Sequence, residues 1–81
     1  MEIEWTETAL ADMANLDKSI ARRVKQSVER LAGTGAGDVK RLQDITPPEF
    51  RLRVGDYRVR FHQDHATLRI IRVRNRREAY R

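Results

Sequence analysis

Near Phe50 the spacing of apolar residues changes, and that change restricts the chain to a fold of helices laid on a sheet. Before it, Ala9, Leu10, Met13 and Leu16 recur at the ~3.6-residue period of an amphipathic helix, and so do Ile20, Val24, Val28 and Leu31. After it, Phe50, Leu52 and Val54 alternate with Arg51 and Arg53, and Tyr57, Val59 and Phe61 alternate with Arg58, Arg60 and His62. That is the period of a strand with one buried face. Gly55 and Asp56 supply a turn between these two runs, and Gln63 to His65 a second. Thr67 to Val73 forms a last strand. Leu68 and Ile70 face one way and Ile71 and Val73 the other, so this strand is either buried on both sides or bulged. At the other end, Ile3 and Trp5 alternate as a short first strand. Thr6 is placed to cap the first helix and Asp17 the second, and Gly33 is the expected stop. Thr34 to Lys40 reads as a loop, and Thr46, Pro47 and Pro48 end any structure after Leu42. The expectation is an α+β fold: an N-terminal strand, a two-helix hairpin, then a three-stranded antiparallel sheet, with the helices on its apolar face.

A chain of 81 residues has room for one modest core, so residues 1–81 are expected to form a single domain. It has no cysteine and only two histidines. No disulfide framework, no metal centre and no cofactor are expected. The opening MEIEWTET lacks the basic and apolar regions of a secretion signal, and no apolar run approaches the length of a membrane span. The expected location is the cytoplasm, with no membrane partner.

Charge is divided unevenly. Residues 51–81 hold ten arginines, no lysine and three acids, a net of +7, whereas residues 1–50 hold seven basic and nine acidic groups, a net of −2. Like charges on neighbouring strands repel, so folding gains nothing from the arrangement. Guanidinium is planar, always charged, and grips phosphate through paired hydrogen bonds. Strand alternation puts Arg51, Arg53, Arg58 and Arg60 on one face, followed along the chain by Arg72, Arg74, Arg76, Arg77 and Arg81. Such a face suits nucleic acid. Tyr80 lies among the terminal arginines, where a phenol can stack on a base or exchange a proton.

The segment FRLRVGDYRVRF, followed by RNRREAY, resembles the RelE branch of the RelE/ParE toxin superfamily, small toxins of bacterial toxin–antitoxin pairs, and the likeness spans nearly the whole chain. It implies a ribosome-dependent endoribonuclease that cuts mRNA in the A site, without metal, by attack of the RNA 2′-hydroxyl. It also implies a cognate antitoxin as partner, along with the ribosome and mRNA. By the same resemblance Arg53, Arg58, Arg76 and Tyr80 are the catalytic residues, and Arg51, Arg60, Arg74, Arg77 and Arg81 bind RNA. Some relatives carry lysine where this chain has Arg51 and Arg53, and histidine where it has Asn75. Arginine does not surrender its proton, so Tyr80 is the expected base, with Glu78 behind it and His62 a bystander. Two other readings stand beside this one: a ParE-type inhibitor of DNA gyrase, and a nucleic-acid-binding module without catalysis.

Overall fold

A computed structural model describes the backbone of residues 1–79 and the side chains of residues 1–77. The strands are β1 (Glu2–Trp5), β2 (Asp38–Arg41), β3 (Phe50–Val54), β4 (Tyr57–Gln63) and β5 (Thr67–Asn75). The helices are α1 (Glu7–Ala14), α2 (Lys18–Thr34) and the short α3 (Arg76–Ala79). They build one five-stranded sheet in the order β1-β5-β4-β3-β2. β1 runs parallel to β5, and every other neighbouring pair is antiparallel.

The α+β class and the order of strand, helices and antiparallel strands agree with the sequence reading. The sheet has one strand more than expected on its far edge. The segment read as loop extends into β2, which pairs with β3 from Asp38↔Arg53 to Arg41↔Phe50. All four β2 residues are exposed, so no alternation marks it. What positions it is a close approach: a Cβ on Gly37 would lie 2.8 Å from the Leu52 side chain.

The Thr6 hydroxyl accepts the N–H of Ala9 at 3.1 Å and caps α1 as expected. Asp17 occupies the N-cap of α2 without a side-chain bond. This helix passes Gly33 and ends at Gly35, whose φ of 77° is the left-handed conformation that closes helices. The two helices follow one another directly, joined by residues 15–17, as expected. α1 packs along β5, whereas α2 lies across β1 and β3.

Val24, Val28 and Leu31 of α2 meet Leu52, Val54, Val59, Phe61, Leu68, Ile70 and Val73 of the sheet in one buried core. Phe50 and Phe61 stack there, with ring centres 5.6 Å apart. Leu10, read as part of the α1 stripe, is instead 53% exposed.

A bulge settles the ambiguity in β5. Arg60 pairs with Arg72 while its neighbour Phe61 pairs with Ile70, which leaves Ile71 as an extra residue. The extra residue resets the alternation, so Leu68, Ile70 and Val73 all reach the same core.

Candidate nucleic-acid interface

Cross-strand pairing gathers the cations of the opposite face into two rows. One row runs Lys40↔Arg51↔Arg60↔Arg72, and the other Arg53↔Arg58↔Arg74 with Asp38 in register at the end beside Arg53. Adjacent strands stand ~4.8 Å apart, so each row is a dense line of positive charge.

The two rows differ in their counter-ions. Every arginine of the first row has a carboxylate. Arg51 lies 3.8 Å from Asp38. Arg60 donates from Nε to Glu49 Oε2 at 2.6 Å, and its Nη2 contacts the same oxygen. Arg72 forks onto Asp12 of α1, Nε to Oδ2 at 3.0 Å and Nη2 to Oδ1 at 3.1 Å. Asp12 also accepts the Val73 N–H at 2.9 Å. Arg72 is thereby drawn to α1 and out of the phosphate-binding series to which the sequence assigned it. In the second row, no carboxylate of the described residues lies within ion-pair distance of Arg53, Arg58 or Arg74.

Arg58 is the centre of that bare row and is only 6% exposed. Its Nη1 donates to the carbonyls of Gly55 and Tyr57, each at 3.2 Å. Among the described residues, Arg51 Nε and Arg58 Nε are the buried side-chain polar atoms left without a hydrogen-bond partner. Each such buried donor costs ~1–3 kcal/mol while it lacks an acceptor.

The face is less open than strand alternation suggested. The segment after β2 folds over it, tied by the Leu42 N–H donating to the Glu49 carbonyl at 2.8 Å. Together they border a half-open pocket of about 500 Å³ lined by Arg51, Arg58 and Arg60 on one side and Lys40, Arg41, Leu42, Gln43 and Ile45 on the other. Sequence reasoning missed this wall, because single residues in a Pro-bounded loop carry no periodic signal. It also missed Glu49, which is 6% exposed. Glu49 holds Arg60 and lies 3.5 Å from His62 Nε2, so His62 sits against a carboxylate beside the site.

Arg53, Arg58 and Arg74 converge at the end of the sheet where the Gly55–Asp56 turn lies. α3 starts there too, with the Arg76 N–H donating to the Asp56 carbonyl at 2.6 Å. Arg76 and Arg77 are exposed. Asn75 accepts the Arg77 N–H through its side chain at 3.1 Å, a local turn rather than a catalytic contact. The remaining assignments, Tyr80 and Arg81, lie outside the described residues, as does the side chain of Glu78.

Residues 3–80 match the family model described as the ParE toxin of the type II toxin–antitoxin system parDE. No curated protein matches the sequence significantly. Among solved structures, a chain of the RelB–RelE antitoxin–toxin complex from Methanococcus jannaschii superposes with a TM-score of 0.78 at 22% identity, covering 95% of this chain and 94% of that one. The RelBE2 toxin–antitoxin complex from Mycobacterium tuberculosis gives a TM-score of 0.72 at 26% identity, covering 91% and 95%. The YoeB dimer from Staphylococcus aureus gives 0.72 at 16% identity, covering 89% and 92%.

Proposed function

The chain belongs to the ParE toxin family of type II toxin–antitoxin systems, within the RelE/ParE superfamily, and from that premise we propose that it is a ribosome-dependent endoribonuclease acting on mRNA. The observation that carries this reading is the bare row Arg53–Arg58–Arg74 beside a pocket with two unpartnered guanidinium nitrogens. Arg58 of this row is buried without a carboxylate, and a buried cation of this kind is costly until an anion completes it.

The phosphate to be cleaved sits on Arg53 and Arg58. The RNA 2′-hydroxyl oxygen attacks phosphorus and its proton passes to the base, the role given to Tyr80. The bond from phosphorus to the 5′-oxygen breaks, and that oxygen takes up a proton to leave as a 5′-hydroxyl. A 2′,3′-cyclic phosphate remains on the other fragment. The arginines contribute by holding the phosphate in line and by stabilising the charge that grows on its oxygens. Arg76, exposed at the start of α3, extends the same positive end of the sheet toward the leaving group. Arg74 and Arg77 hold the flanking backbone. The partner is a cognate antitoxin whose acidic or amphipathic segment would neutralise this face.

The test is induction in a bacterial host with mapping of messenger 5′ ends. Cuts within translated codons, bearing 5′-hydroxyl ends, are expected. Intact messenger with gyrase-dependent DNA breakage would replace this reading by the gyrase inhibitor that the family name suggests.

A further inference from the structure

The pocket beside the bare row has two unlike walls. Arg51, Arg58 and Arg60 form a cationic floor, and two of them carry the buried nitrogens that lack an acceptor. Facing them are the half-buried apolar Leu42 and Ile45 and the exposed Gln43, with Lys40 and Arg41 beside them on the same wall. A bare phosphate needs only the floor. A volume of about 500 Å³ exceeds what phosphate fills, and an apolar wall gains nothing from an inorganic anion. A nucleotide has both kinds of surface: a phosphate for the guanidiniums and a flat base for the aliphatic wall. The loop is also fixed, through β2 on one side and the Leu42–Glu49 backbone bond on the other.

We infer that this pocket seats the base of a nucleotide next to the scissile phosphate, and that Gln43 determines which base is accepted. The inference rests on the ribonuclease reading for its substrate but makes a separate claim about the loop after β2. The Gln43 amide offers a donor and an acceptor on one rigid plane, which matches the edge of one base better than another. Leu42 and Ile45 supply a contact surface that any base can use.

The test is binding of the four nucleoside 3′-monophosphates, and of inorganic phosphate, to the purified full chain, followed residue by residue with NMR. Wild type is expected to prefer one base by about tenfold, the discrimination a good amide–base pair provides. Nucleotides are expected to shift Leu42, Gln43 and Ile45, while phosphate shifts only the arginines. Gln43→Met, which keeps the length and loses the hydrogen bonds, is expected to bring the four affinities within about twofold of one another. Equal binding of all four bases by wild type, or phosphate binding as tightly as any nucleotide, would overturn the inference. Such a pocket would be an anion seat only, of the kind an acidic partner segment fills. An unchanged base preference in Gln43→Met would overturn it equally. These outcomes are separate from the ribonuclease reading. A protein that discriminates bases here but leaves messenger uncut on the ribosome would sink that reading and leave the pocket assignment standing.

Discussion

Arg58 combines two properties that pull in opposite directions. It is nearly fully buried with no carboxylate partner among the described residues, and it holds the β3–β4 turn through two carbonyl bonds. Desolvation of an unpaired cation costs more than two such bonds return. Arg58→Met is therefore expected to leave the melting temperature unchanged or raise it by a few degrees, about 1 kcal/mol. The same change should slow single-turnover cleavage by about 10²- to 10³-fold. Thermal unfolding and cleavage on ribosomes measure the two halves separately, and a marked loss of melting temperature would mean that the turn bonds dominate. Asp12 is the reverse case, since it accepts two bonds from Arg72 and one from Val73 across 60 residues of chain or more. Asp12→Ala should cost about 2–3 kcal/mol in urea unfolding, somewhat less than a fully buried pair because Arg72 is partly exposed. Asp64 gives a pH signature. Its carboxylate accepts the N–H groups of Ala66 and Thr67, each at 2.8 Å, and these bonds hold it below the ordinary value of 3.8. A carboxyl depressed in the folded state contributes stability that is complete above its unfolded pKa and is lost as pH falls through the folded one. Asp64→Asn should therefore flatten the acid limb of a melting-temperature profile below about pH 4, while the wild type keeps a slope there.

Among the elements, β5 decides which side chains join the cationic face. Its bulge at Ile71 puts Val73 into the core with Leu68 and Ile70, and Arg72 and Arg74 onto the face of Arg60 and Arg58. A one-residue slip reverses every side chain of a strand. Deleting Ile71 removes the extra residue and leaves Phe61↔Ile70 next to Arg60↔Arg72 in an unbroken ladder, so the deletion is expected to fold, with Arg72 and Arg74 still on the cationic face and far-ultraviolet circular dichroism like that of the wild type. An insoluble or unfolded deletion would mean that the local bend made by the bulge is itself needed to close the core. The run Leu68, Ile70, Ile71, Val73 left only two explanations open in the sequence, burial on both sides or a bulge. Choosing between them needs β4 as a ruler, because a bulge is defined by its partner strand. β2 was illegible for a related reason. Its residues are exposed, and it is a strand only because β3 offers an edge to pair with.

Across the whole molecule, Asp12, Asp38 and Glu49 of the N-terminal half pair with one arginine row, and no carboxylate among the described residues pairs with the other. Binding of single-stranded RNA should reflect this. Three phosphate contacts by Arg53, Arg58 and Arg74 predict a slope of log affinity against log salt near about −2, each arginine-to-alanine change reducing it by about 0.7. Fluorescence anisotropy over a salt series would show it, and a flat response would mean that the row does not meet the backbone. The sequence by itself determined that Arg51, Arg53, Arg58 and Arg60 share a face opposite Leu52, Val54, Val59 and Phe61, because alternation along a strand is a local property of the extended backbone. It also determined the helical stripe of α2 and the cap at Thr6. Only the tertiary structure decided which cations remain unpaired and that a pocket forms beside Arg51, Arg58 and Arg60. Those outcomes depend on where Asp12, Glu49 and the loop after β2 arrive in space, and no short-range pattern encodes the meeting of residues so far apart in the chain.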